Sequence, residues 1–173
     1  MNRVMIFIDG SNFYGGLQEF IGKGTKIDFG KFVELVRDDR QLIRTYYYSA
    51  AIDRDEDKEG AIKQQKFFDS LTYIPYFEVK LGYLRRRGTG HVEKGVDTKL
   101  AADMIKHAYR NSYDVAILVS GDGDFAYIAG AVKETGKHVE VVYFERANLE
   151  KLRKSADRTI LLSKDRLKSC ILP

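Results

Sequence analysis

The sequence predicts a three-layer α/β/α domain built on a mainly parallel five-stranded sheet, and three observations predict it. Short apolar runs alternate with stretches at helical spacing along the chain, and each parallel return needs a crossover packed on one face. Two runs, Val4–Ile8 and Val115–Val119, are apolar at every position, as in strands covered on both faces. Acidic, glycine-bearing turns close those same runs, where open α/β sheets place their ligand sites.

The elements follow in order. Val4–Ile8 is the first strand, ended by the turn Asp9-Gly10-Ser11-Asn12. Asp28 caps a helix running to about Asp39, with Phe29, Phe32, Val33 and Val36 on one side. Tyrosine-rich Ile43–Ile52 is the second strand. The charge run 53–60 leads into a helix that aligns Ala61, Gln65, Phe68 and Leu71. Tyr76–Leu84 is the third strand, and the aperiodic, glycine-bearing stretch after it predicts a basic flexible loop over about 85–95. A helix spans Asp97–Tyr109, and Val115–Val119 is the fourth strand. The turn Ser120-Gly121-Asp122-Gly123-Asp124 opens a helix bearing Phe125, Ile128, Ala129 and Val132, with Gly136 as its C-terminal cap. Val139–Phe144 is the fifth strand; from Leu149 a weaker helix passes into a tail from about 157.

The 173 residues suit one domain, and two prolines, Pro75 and Pro173, cannot build a linker. Apolar types at 44% and charged types at 31% exclude disordered, collagen-like and disulfide-stapled classes. Twenty-nine Lys and Arg against 25 Asp and Glu give +4, which mildly favours an anionic partner. The lone cysteine, Cys170, suits a reducing compartment and so the cytoplasm. The apolar run at the start is far short of the ~20 residues that span a bilayer, so no membrane partner is expected.

Asp9, Asp122 and Asp124 meet at one edge if the first and fourth strands are neighbours. Asp97 shares helical spacing with Leu100, Ala101, Met104 and Ala108, which places it on the inward face, aimed at the sheet. Singly, each aspartate reads as a cap or an Asx turn. Together, carboxylates ~5 Å apart repel by about 3 kcal/mol per pair at an effective dielectric near 20, so a cation belongs among them. Oxygen donors without a His or Cys pattern select Mg²⁺ or Mn²⁺ over zinc, and such ions meet phosphates. Phosphodiester hydrolysis is the matching reaction class. Asn12 could orient a water or phosphate or simply cap a helix, Ser120 could bond a metal-bound water or contact RNA or simply end the strand, and Lys94 could meet a phosphate as a point charge. The Gly121–Ala126 stretch also fits a loose dinucleotide fingerprint, but a pyrophosphate would meet Asp122 and Asp124 there.

Ile8-Asp9-Gly10-Ser11-Asn12, Lys94-Gly95-Val96-Asp97 and Val119-Ser120-Gly121-Asp122-Gly123-Asp124-Phe125 together resemble the NYN domain family, in particular its LabA-like (DUF88) branch. Leu152-Arg153-Lys154-Ser155-Ala156-Asp157 is similar to that branch's closing segment. The resemblance implies a PIN-like fold with central strand order 3-2-1-4-5, a divalent-metal acidic site and ribonuclease activity. Carried over by motif, Asp9, Asp97 and Asp122 are metal-binding carboxylates, Asp124 is a further ligand or supporting acid, and Asn12 is a polar site residue. Asp103 lies in the helix the family also marks as acidic, although its spacing sets it off the inward face.

Arg85, Arg86 and Arg87 follow a strand holding Tyr76, Phe77 and Tyr83, a pairing that suits single-stranded RNA, since cations hold phosphates and rings stack unpaired bases. The sequence therefore reads as a metal-dependent endoribonuclease. The alternative is a non-catalytic RNA-binding or regulatory protein-interaction module on the same fold, with a homodimer as a further partner to test. A small-molecule phosphatase ranks lower, because Ser11 stands where haloacid-dehalogenase-type enzymes carry an acid.

Overall fold

The computed structural model describes residues 2–87, 90–145 and 150–173, with the side chains of residues 83–94 outside the described part. The chain forms strands β1 (Arg3–Asp9), β2 (Gln41–Ala51), β3 (Phe77–Arg87), β4 (Gly90–Lys94), β5 (Val115–Val119), β6 (His138–Tyr143) and β7 (Arg158–Leu161). Helices α1 (Gly10–Gly16), α2 (Phe29–Arg37), α3 (Lys58–Thr72), α4 (Val96–Tyr109), α5 (Ala126–Glu134), α6 (Glu150–Ser155) and α7 (Lys164–Leu167) lie between and after them.

The strands make one seven-stranded sheet in the order β4-β3-β2-β1-β5-β6-β7. All pairs are parallel except β3 with β4, so the expected order of the first five parallel strands holds and β7 adds a sixth. β1 is central, and its side chains alternate between two cores. Val4, Ile6 and Ile8 face the core covered by α1, α2 and α3; Met5 and Phe7 face the core under α4, α5 and α6. Covering on both faces is why β1 and β5 are apolar throughout.

The expected helices over α2, α3, α4 and α5 are present, and the caps are side-chain carboxylates at Asp28 and Asp57. Three expectations are corrected. The turn at 9–12 is the start of a helix: Asp9 ends β1 and its carboxylate accepts from Asn12 N–H, capping α1. The basic loop at about 85–95 is a β-hairpin, because β3 continues to Arg87 and β4 pairs back along it, Tyr83 with Lys94 and Arg87 with Gly90. Neighbouring β2 ends at Ala51 opposite Tyr83, so the hairpin arm projects past the carboxyl edge of the sheet. The tail from about 157 is ordered: β7 pairs with β6, and the Cys170 carbonyl and Leu172 N–H hydrogen-bond the segment before α2 at 2.8 and 3.0 Å. Four residues are too few for periodicity to mark β7; pairing to β6 makes it a strand.

Phe32 is fully buried, with ring centroids 5.0 Å from Phe13 and 6.2 Å from Phe29. Phe32→Ala should lower stability by ~3–5 kcal/mol, read as a shift in the urea midpoint at unchanged m-value.

Candidate functional site

The parallel register answers the adjacency question on which the sequence reading rested. β1 lies between β2 and β5, with Asp9 opposite Tyr48 and Ile8 opposite Val119. The acidic turns after β1 and β5 therefore leave the sheet side by side at its carboxyl edge.

A short hydrogen-bond chain joins them. Ser120 Oγ donates to Asp9 Oδ2 at 2.9 Å and accepts from Asp122 N–H at 3.1 Å. Asp9 Oδ1 accepts from Asn12 N–H and from Ser11 Oγ, both at 3.2 Å. Asn12 Oδ1 accepts from Gly121 N–H at 2.9 Å, tying α1 to the β5 turn. Asp122 Oδ1 accepts from Asp124 N–H at 2.9 Å and caps the 3-10 turn Gly123–Phe125 that opens α5. Gly10 lets α1 lie directly on β2: a Cβ there would stand 2.6 Å from the Tyr48 carbonyl oxygen and from the Tyr47 ring.

Asp97 comes from the other direction. The β3–β4 hairpin returns the chain to the carboxyl edge, and Gly95, at φ +77°, turns it into α4. Leu100, Met104 and Ala108 are buried on the inward face as expected, but Asp97 is exposed at the rim. The expectation that it aims at the sheet is thus corrected: the first turn of α4 stands at the open edge, near enough to Asp122 and Asp124 for their charges to raise the proton affinity of Asp97.

Electrostatics links the four acids. Burial pushes the Asp9 carboxyl up to about 6 from 3.8, its hydrogen bonds from Asn12 and Ser120 oppose that rise, and the charge of Asp97 adds to it. Asp97 is raised in turn, by partial desolvation and then by the charges of Asp122 and Asp124. None of the four takes part in an ion pair among the described residues. In donor chemistry and in charge, these carboxylates fit a hard divalent cation. In position they are spread: among the described residues no three acidic, His or Cys side chains converge closely enough to hold one ion.

The remaining sequence candidates fall into place unevenly. Ser120 is 2% exposed with its hydroxyl committed to Asp9, so it braces the acid and has no surface for an RNA phosphate. Asn12 likewise spends its carbonyl on the β5 turn. Asp103 lies outside the site: it accepts from Tyr48 Oη at 3.0 Å and pairs with Lys106. The side chains of Arg85, Arg86, Arg87 and Lys94 lie outside the described residues; their backbone belongs to the hairpin. Ser11 is a partner of Asp9 that no sequence motif singles out, because the α1 helix that fixes it has no strong local signal.

Comparison with known proteins agrees with the fold. A family model for the NYN domain matches residues 3–163. The low amplitude and bright protein LabA of Synechococcus elongatus is 26% identical over 170 residues, covering 94% of this chain and 84% of that protein. The crystal structure of a protein of unknown function from Vibrio parahaemolyticus superposes with a TM-score of 0.76 at 25% identity, covering 99% of this chain and 96% of that one. No helix among the described residues is long and apolar enough to cross a membrane.

An acid held at about 6 in the fold and near 3.8 unfolded keeps its proton better when folded. Its penalty is absent at low pH, grows as pH rises from about 4 to about 6, and is complete above that, at most ~3 kcal/mol. Asp9→Asn should therefore raise the melting temperature in metal-free buffer at pH 7.5, with the gain shrinking to nothing near pH 4, as followed by circular dichroism. Gly10→Ala should destabilise by ~1–3 kcal/mol through overpacking against β2, measured by urea unfolding.

Proposed function

The chain belongs to the NYN domain family, and from that premise we propose that it is a divalent-metal-dependent ribonuclease that hydrolyses phosphodiester bonds at the carboxyl edge of its sheet. The observation that carries the proposal is that the acidic turns after β1 and β5 leave the sheet side by side, joined by the Ser120 and Asn12 hydrogen bonds, with Asp97 at the start of α4 close enough to raise the proton affinity of Asp9. Mg²⁺ or Mn²⁺ held there would supply Lewis acidity, making water a stronger nucleophile and offsetting charge on the phosphodiester. Asp9 is the fixed ligand, since Ser120, Ser11 and the α1 backbone hold both its oxygens. Asp97, Asp122 and Asp124 are the ligands at the open side, where a phosphate can reach them.

RNA is the proposed substrate, in single-stranded form. The hairpin arm that carries Arg85, Arg86 and Arg87 projects past the same edge, which suits a basic guide for a polyanion beside an acidic centre. Lys94, at the base of the arm and three residues before Asp97, suits a phosphate contact. One observation favours the second reading, a non-catalytic RNA-binding or regulatory module: the carboxylates are spread more widely than a cation site requires.

Purified protein incubated with single-stranded RNA and Mn²⁺ should cleave it. Asp9→Asn and Asp122→Asn should each reduce the rate by at least ~10²-fold, in the range for losing a charge-stabilising group. Equal cleavage by wild type and both variants would remove the proposal, and RNA retention without turnover across Mg²⁺, Mn²⁺ and pH would favour the second reading. In thermal melts, Mn²⁺ should stabilise the wild type and leave Asp9→Asn unmoved.

A further inference from the structure

On the face of the sheet opposite α4, a cleft of about 1150 Å³ opens between α1, α3, the start of α2 and the last residues of the chain. Its floor is aromatic: the rings of Phe29 and Phe67 meet Tyr47 edge to face at centroid distances of 5.5 and 5.6 Å. Its mouth is different in character. Tyr14 presents a ring that is 61% exposed, and Lys26 and Lys63 are both exposed with no ion pair among the described residues. The one acid in the lining, Asp28, is engaged through Oδ1 as the cap of α2. Gln64 is spent on the β2 backbone, donating to the Ala50 carbonyl and accepting from Ile52 N–H, both at 2.9 Å. Ser49 is left as a small half-buried hydroxyl with no described partner, facing the cleft.

The cleft reaches toward the acidic site through Ser11, whose hydroxyl donates to Asp9 Oδ1 at 3.2 Å. Gly10 and Ser11 line it, and they directly follow Asp9. Its volume is slightly above the ~300–1,000 Å³ typical of small-ligand sites. We infer that this cleft accepts one nucleotide unit, its base against Tyr14 and the aromatic floor and its phosphate toward Lys26 and Lys63. Charge decides between occupants: two unpaired ammonium groups at the mouth match an anion, whereas a purely apolar ligand or an apolar peptide would leave them unused. Aromatic walls suit a flat base, and Ser49 can bond its edge in either direction, because a hydroxyl both donates and accepts. The inference deepens the ribonuclease reading and rests on it for the class of occupant: the unit is either part of the strand that reaches the acids or a free mononucleotide with the same chemistry.

The test is calorimetric titration of uridine and adenosine monophosphates and of a five-nucleotide single-stranded RNA, in EDTA so that no cation enters the acidic site. Tyr14→Ala and Lys63→Glu are the variants, both at exposed positions, with melting temperature as the control for folding. Each should weaken binding about tenfold, and Lys63→Glu should also lower the salt dependence by about one counterion. Weakening for the mononucleotides as well as the RNA identifies a free-nucleotide pocket; weakening for the RNA alone identifies a strand subsite; both support the inference. No binding by the wild type, or unchanged affinity in both variants, overturns it. Cleavage by the wild type with unaltered affinity in both variants would end the cleft inference and leave the ribonuclease reading. Binding through the cleft without cleavage under any metal would do the reverse.

Discussion

The structure turns on a carboxylate that the fold holds where a carboxylate is least comfortable. Asp9 stands at the end of the central strand, 4% exposed, with Asp97 close enough to raise its proton affinity further. Burial and like charge both favour the neutral acid, and among the described residues three hydrogen bonds oppose them. The surrounding bonds fix the position of Asp9 without neutralising it, so its orientation is set by the fold before anything approaches the edge.

The rest of the fold serves that position. Parallel pairing of β1 with β5 puts two acidic turns side by side, and the Ser120 hydroxyl and Asn12 amide lock them together across more than a hundred residues of chain. The β3–β4 hairpin brings the start of α4 to the same edge, adding Asp97 from the opposite side. Gly10 allows α1 to sit against β2, and this close approach forms one end of the aromatic cleft. The acidic turns and the base of the hairpin arm are thus assembled where the parallel strands end.

Much of this was legible along the chain. The fully apolar runs of β1 and β5 announced a sheet covered on both faces, and the helical spacing of Phe29, Phe32, Val33 and Val36 located α2 and its buried side. The elements that escaped were short or lacked a local signal. α1 begins with Gly10 and Ser11, poor helix formers that read as a turn, and is held as a helix by the Asp9 cap and by packing against Phe29, Phe32 and Phe144. The hairpin was hidden because β4 carries no apolar alternation and gains its identity only by pairing with β3.

By itself, the sequence determined which residues are acids and which of the longer runs are strands, since periodicity and composition are local properties of the chain. Only the tertiary structure decided what each acid does. Asp103 and Asp97 lie six positions apart on one helix, yet one is paired with Lys106 and Tyr48 on the flank and the other faces three like charges at the open edge. Ser120, indistinguishable in sequence from a ligand contact, became a buried brace. The reason is physical: proton affinity, burial and charge coupling depend on distances between residues far apart in the chain, and those distances exist only once the strands have paired.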